Sequence, residues 1–472
     1  MSICIAKPSG GKLQIMESDK EINFGSLTEN VGKFHFGETT VLIPAMNRIA
    51  AHVLAATFRG FGVHVKVLET YKGLDLGKKY TSGKECYPCQ ITLGDILYFI
   101  EKEKERLGNA FNPEAYIYFL PESDGPCRFG LYNKYQRIVL DSFPELSKLK
   151  ITSLTTRDGY SLAGMLEEDK VLDFQKTGYF SLVVADILDR LVWRIRPYEK
   201  EAGMADDFIE QSMHIMEDIF ETRGPKKEFR KILNKLEEII EEGKTIIDPD
   251  IPRKPLIGIV GEIFLRMHVG ANQDLIRILE KHGAEVVNAS LAEWVNYVSY
   301  DGLRRAKIEF RLALKQMHFG EIKFNLKNII RFGADLLYKE LRQKQIYRRV
   351  ESHIDVAKDH KISHLENVLK EDDLFSFDLG TEACLSIAAI MECARGEFNG
   401  IVNVYPFTCM PGTTTTAVVK PLVNELGVPY LDAPYDSSIQ PGREAAIRTF
   451  IYQAHQHYRR NGRERNHQNG ES

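Results

Sequence analysis

The chain has 472 residues, 43% of them hydrophobic and 27% charged, the balance of a globular protein long enough for two or three cores. Its formal net charge of -4 leaves no electrostatic case for nucleic acid as a main partner, and no apolar run approaches the ~20 residues of a membrane helix. Met1 to Lys20 holds Lys7 and Lys12 but no continuous apolar stretch, so no secretory signal is read. The expected setting is cytoplasmic, where the seven cysteines should be reduced thiols or metal ligands.

Residues 1–38 read as a polar leader with one or two edge strands. An N-terminal α/β domain over 39–160 follows. Thr40 to Ile43 has the pattern of a buried strand, Pro44 to Arg59 of a helix and Val63 to Glu69 of a second strand. Further units are the helix Ile91 to Lys104, the strand Ala115 to Leu120, the helix Arg128 to Leu140 and a strand near Leu149 to Leu154. Strands alternating with helices predict a parallel sheet. Residues 161–250 read as a helical bridge, with helical spacing over Phe180 to Trp193, Met204 to Glu221 and Lys226 to Glu242, ending in the linker Asp248-Pro249-Asp250-Ile251-Pro252.

A C-terminal α/β domain spans 251–458. It opens with the strand Pro255 to Val260, the helix Asn272 to His282 and the strand Ala284 to Asn288. A charged helical insertion without turn clusters fills about 303–370. The pattern resumes with the helix Thr381 to Arg395, the strand Ile401 to Tyr405, the helix Thr413 to Leu426, the strand Pro429 to Asp432 and the helix Arg443 to Tyr458. Residues 459–472, with Arg459, Arg460, Arg463 and Arg465, read as a disordered tail. The fold class is therefore α/β, with two doubly wound parallel-sheet domains and a helical bridging segment.

Three cysteine contexts share one local grammar. Gly83-Lys84-Glu85-Cys86-Tyr87-Pro88-Cys89, Pro121-Glu122-Ser123-Asp124-Gly125-Pro126-Cys127 and Pro406-Phe407-Thr408-Cys409-Met410-Pro411-Gly412 each follow a strand-like run or its loop, are framed by Pro or Gly, and lead into a helix. Loops at the carboxyl ends of parallel strands gather in one crevice, and a helix N-terminus offers unpaired N–H groups and positive potential. Three thiols presented there form a pocket for an anionic iron–sulfur cluster with one iron left open. Pro88 and Pro411 suit helix starts, and Gly83, Gly125 and Gly412 would let backbone approach the inorganic core. The competing readings are a zinc site, which usually shows two tight Cys pairs, a redox dithiol at Cys86 and Cys89, and plain buried thiols.

The strings TSGKECYPC, FLPESDGPCRFG, IGIVGEIFLR and VNVYPFTCMPG resemble the large-subunit family of 2-hydroxyacyl-CoA dehydratases and benzoyl-CoA-type reductases, more narrowly the dehydratase-like module associated with acyl-CoA dehydratase activases. The resemblance runs from about Thr40 to Tyr435 and is most specific at Cys127 and Cys409. It implies a [4Fe–4S] cluster in an interdomain cleft, held by Cys127, Cys409 and either Cys86 or Cys89. It also implies low-potential one-electron chemistry on an acyl-CoA or related small substrate, and a separate ATP-dependent activase carrying its own iron–sulfur cluster. A dimer is a further expectation.

Cys384 and Cys393 stand nine positions apart on one helix-like segment, pointing to opposite faces, which reads as core packing. A branch of the family resembles double-cubane proteins, and there these two would join Cys86, Cys89, Cys127 and Cys409 around an [8Fe–9S] cluster. No Walker A loop is present, since Gly10-Gly11-Lys12 lacks the glycine spacing and the preceding strand. Asp378-Leu379-Gly380-Thr381 imitates the phosphate loop of actin-like ATPases, but Thr381 reads as an N-cap with Glu382 in the first turn. Glu85, Glu122 and Arg128 adjoin the ligand cysteines and are the candidate catalytic residues; Glu262 follows a buried strand at its carboxyl end. The rival reading is a non-catalytic protein that carries a cluster or is stabilised by zinc.

Overall fold

The computed structural model describes residues 29–470, with side chains through 461; Cys4, the Gly10-Gly11-Lys12 run and most of the expected leader lie outside the described residues. The first half runs β1 (Val31–Gly32), β2 (Thr40–Ile43), α1 (Arg48–Gly60), β3 (Val65–Val67), α2 (Leu74–Lys79), α3 (Tyr87–Leu107), β4 (Tyr116–Phe119), α4 (Tyr132–Asp141) and β5 (Lys150–Thr152). Three helices follow: α5 (Glu168–Ile195), α6 (Met204–Arg223) and α7 (Phe229–Lys244). The second half runs β6 (Leu256–Gly261), α8 (Ile263–Met267), α9 (Leu275–Lys281), β7 (Glu285–Asn288), α10 (Leu291–Lys315), α11 (Phe319–Val350), α12 (Ile362–Glu371), α13 (Glu382–Arg395), β8 (Gly400–Pro406), α14 (Met410–Glu425), β9 (Tyr430–Tyr435) and α15 (Arg443–Gly470).

Both sheets are wholly parallel, ordered β1-β5-β4-β2-β3 and β7-β6-β8-β9. Their central strands, Thr-Val-Leu-Ile in β2, Tyr-Ile-Tyr-Phe in β4 and Gly-Ile-Val-Asn-Val-Tyr-Pro in β8, are apolar runs buried almost throughout, as a sheet covered on both faces requires. Leaving β1 aside, the two halves share one winding order, in which the first strand lies between the second and the third. The chain therefore reverses direction between β2 and β4, and again between β6 and β8. Each reversal opens a crevice at the carboxyl ends of those strands.

The helical segment is more than a linker. α5 buries Phe180, Val183, Val184, Ile187, Leu188 and Leu191 in a core shared with α1, α6, α7 and the start of α10. The Asp186 carboxylate accepts from the Leu291 and Ala292 amides at 2.9 and 2.8 Å, capping α10 and tying the bridge to the second half.

The charged insertion of about 303–370 is helical, divided among the end of α10, α11 and α12. α10 begins directly after β7, and breaks at 316–318 and 351–361 separate α10, α11 and α12. The first break needs neither Gly nor Pro at its hinge, because Met317 itself takes a left-handed conformation (φ 58°). The segment read as a disordered tail continues α15 as helix to Gly470.

α2 and α3 approach backbone to backbone: a Cβ on Gly94 would meet the carbonyl of Gly73, and one on Gly77 would meet that of Gln90. This contact seats the helix whose N-terminus carries Cys86. Gly94→Ala should lower the unfolding free energy by about 1–3 kcal/mol, despite the better helix propensity of alanine. An unchanged denaturant midpoint would show that the two helices separate without cost.

Candidate functional site

Residues after β2, β4 and β6, with the starts of α10 and α13, border one cavity of about 190 Å³ between the sheets and α5; of the cysteines, Cys127 is the one that lines it. Cys127 lies after β4 and Cys409 after β8, equivalent positions of the two halves at their two topological switch points. Cys86 comes from the loop between α2 and α3.

Each of these cysteines stands at the head of a helix. Cys86 precedes α3, with Pro88 in its first turn. Cys127 precedes the short 3-10 turn Arg128–Leu131. Cys409 precedes α14, where its sulfur accepts from the Gly412 amide at 3.5 Å. Cys86 and Cys409 are only 7% and 5% exposed. Burial, with the Glu262 charge adding, pushes the Cys86 thiol up to about 12, and a hydrogen bond with Tyr132 opposes this. Cys127 and Cys409 are likewise pushed up, by burial first and then by Glu382, and both also feel Glu262 and Cys86. Three thiols from three loops thus form one electrostatic cluster with two carboxyls.

The other cysteines do not join it equally. Cys89 lies in the first turn of α3, fully buried; it is pushed up by burial and by Cys86, and its other neighbours are Gln136, Glu85 and Arg128. Of the two, Cys86 is the one whose charge is felt by Cys127 and by Cys409. Cys384 packs in the core beside Tyr297 and Phe377, its sulfur directed at the Gly380 and Ser376 carbonyls. Cys393 lies over Gly258 of β6, on the sheet side of α13, and feels Glu293 and Glu392. Neither Cys384 nor Cys393 is among the charges that Cys86, Cys127 and Cys409 feel most strongly.

Arg128 holds the loops together. Its guanidinium donates to the Lys84 carbonyl, and to the Thr408 carbonyl at 2.8 Å and hydroxyl at 3.3 Å. One side chain beside Cys127 thereby grips the residue before Cys409 and the segment before Cys86. Glu85 accepts from the Ser82 amide and hydroxyl, each at 2.9 Å, and closes its own turn. Glu122 pairs with Lys134 and accepts from Asn133. Neither lines the cavity. The backbone is strained at three of the site's corners: Cys86, Thr381 and Thr408 hold positive φ (108°, 75° and 66°), a conformation costing non-glycine residues about 1–3 kcal/mol each. Gly412 has another explanation than close approach to an inorganic core, since a Cβ there would strike the Tyr405 ring.

Two acidic side chains face the same cavity from the second half. Glu262 caps α8, accepting from the Phe264 and Leu265 amides at 3.1 and 2.8 Å. Glu382 opens α13 and accepts from the Ile263 amide at 3.1 Å. Burial raises both, and for Glu262 the Glu382 charge adds to it, so the pair favours holding a proton. Arg266, itself buried, is the nearest opposite charge. Thr381 caps α13 through the Ala383 amide, and Asp378-Leu379 forms a 3-10 turn rather than a hairpin, as expected for a phosphate-loop imitation. Glu382 and Tyr132 were absent from the sequence-based site. The available signal was position: each acid opens a helix after a buried strand or a Gly-Thr break.

Among the described residues, no three His, Cys, Asp or Glu side chains converge on a point that would hold a single metal ion. A mononuclear zinc site needs its donors within ~2.3 Å of one centre, whereas a cubane takes thiolates at its separate corners. No protein-family model matches this chain, and no curated protein matches it.

Removing the Arg128 grip should free the cysteine loops without unfolding the sheets. Hydrogen–deuterium exchange on Arg128→Ala should show faster exchange across 84–87 and 408–412 with β4 and β8 unchanged. Equal protection in variant and wild type would mean that the loops hold themselves.

Proposed function

We propose that this chain is an iron–sulfur protein of the 2-hydroxyacyl-CoA dehydratase-like kind, holding one [4Fe–4S] cluster on Cys86, Cys127 and Cys409. The observation that carries the reading is the shared electrostatic neighbourhood of three helix-heading thiols from three separate loops, Cys127 and Cys409 each feeling Cys86, with Cys127 lining the cavity. The donor set fits the group: thiolates are its usual ligands, and three of them leave one corner free. Three helix N-termini and the Arg128 guanidinium offset the charge of an anionic guest. Bound there, the cluster would supply low-potential one-electron chemistry to a small substrate, an acyl-CoA being the class the resemblance implies. The resemblance equally implies a separate ATP-dependent activase as electron donor.

The chain's own residues have definable tasks in this reading. Burial keeps the thiols protonated in the metal-free chain, so loading must release protons and becomes more favourable as pH rises. Arg128 sets the distance between loops. Glu262 and Glu382 hold a proton beside Cys127, where it can be given to a substrate oxygen. The apolar wall excludes water from the reacting end.

Anaerobically purified wild type should contain about four iron and four sulfide per chain. Cys86→Ala, Cys127→Ala and Cys409→Ala should each lose most of that iron, whereas Cys89→Ala, Cys384→Ala and Cys393→Ala should keep it. Full iron in the first three variants would overturn the ligand assignment. Zinc in place of iron would favour a non-catalytic, metal-stabilised protein.

A further inference from the structure

Exposed apolar side chains are not spread evenly over this protein. Among the described residues 23 large apolar side chains are exposed, and ten of them fall between Ile308 and Leu341, on α10, α11 and the turn joining them. Single exposed residues of this kind are ordinary; a cluster marks a surface that meets something. On α11 the cluster is ordered. The helix packs on α10, α5 and α7, and its buried residues, among them Phe332, Ile346 and Val350, share one face. The opposite face carries Phe319, Leu326, Ile330, Leu337 and Leu341, between 46% and 76% exposed. Their spacing of seven, four, seven and four residues repeats every eleven, close to three helical turns. The five lie within about 60° of arc, on a straight seam about 33 Å long.

The flanks of the seam carry one sign of charge. Lys323, Lys327, Lys344 and Arg348 share its side of the helix, and none of their side chains makes a hydrogen bond or ion pair among the described residues. The acidic residues of α11 are turned away or engaged: Glu321 pairs with His318 at 3.5 Å, Asp335 with Lys339 at 2.7 Å and Glu340 with Lys361 at 3.4 Å. Residues 303–350 hold thirteen Lys and Arg against four Asp and Glu, in a chain whose net charge is -4.

This pattern selects its occupant. A narrow apolar seam with charged flanks is one half of a two-helix contact, whereas a helix lying in a lipid surface presents a broader apolar face. A second copy of α11 would set lysine against lysine along the seam. A bare polyanion would leave the five apolar side chains in water.

We propose that α11 docks an acidic amphipathic helix of a protein partner, whose apolar side chains cover Phe319, Leu326, Ile330, Leu337 and Leu341 and whose carboxylates meet Lys323, Lys327, Lys344 and Arg348. Docking here requires no iron.

The test is fluorescence anisotropy on the full-length protein with a synthetic helical peptide as probe, carrying leucines at the same seven-four spacing and glutamates on both flanks. Its counterpart has lysines in place of the glutamates. The glutamate peptide should bind at least about tenfold more tightly than the lysine peptide, and the difference should shrink as salt rises to about 1 M. Ile330→Asp and Leu337→Asp, at exposed positions, should keep the wild-type melting temperature and each weaken binding at least about tenfold. Leu172→Asp, equally exposed on α5, should leave it unchanged. Lys344→Glu combined with Arg348→Glu should reverse the preference between the peptides. Equal binding of the two peptides, absence of binding to wild type, or undiminished binding by the Ile330 and Leu337 variants would overturn the proposal. So would dimerisation of wild type, or its binding to vesicles of phosphatidylserine and phosphatidylcholine, if Ile330→Asp abolishes it; the seam would then belong to a second copy or to a membrane.

Discussion

A parallel sheet whose winding reverses leaves a gap at the carboxyl edge of the two strands where the reversal occurs, because the helices on either side of that point run to opposite faces. This chain does so twice, between β2 and β4 and between β6 and β8. The site depends on that constraint. The loops that leave β4 and β8 bring Cys127 and Cys409, 282 positions apart in the chain, into one neighbourhood in which both feel Cys86, Glu262 and Glu382. α5 and the Asp186 cap on α10 hold the two halves against one another, and Arg128 crosses the remaining space.

The crevice gathers groups that are costly to bury together. Buried thiols and two buried carboxyls with raised proton affinity are unfavourable neighbours, and strained backbone at Cys86, Thr381 and Thr408 adds to the cost. A core selected only for stability would place Leu or Val at such positions. Helix N-termini point positive potential at the same spot, which favours an anionic sulfur-bound group over the bare thiols.

Much of this was legible in the chain. Apolar runs of four to seven residues between Gly- and Pro-rich breaks marked β2, β4, β6 and β8, and the Pro after Cys86 and after Cys409 marked helix starts. The places of Cys127 and Cys409 followed from those elements. Other features were set by tertiary packing and left no local trace. The turn at Met317 has no Gly or Pro to announce it, and charge along α10 and α11 reads the same whether the helix is continuous or folded back. Gly412 answers to the Tyr405 ring, several residues earlier on β8. Adjacency to Cys127 marks Arg128 as a candidate site residue, but its reach to Lys84 and Thr408 requires the three-dimensional approach of both loops. That Cys127 and Cys409 feel Cys86 depends on the approach of three loops, which spacing alone does not give.

The central claim, three thiolates around one cluster with an open corner, is tested most directly by Mössbauer spectroscopy on protein enriched in the iron-57 isotope and purified without oxygen. The account predicts one cubane whose irons divide roughly three to one, the minority iron lacking a thiolate and responding to added small-molecule ligands. Four equivalent irons, spectra of two coupled cubanes, or a protein that holds no iron would contradict it.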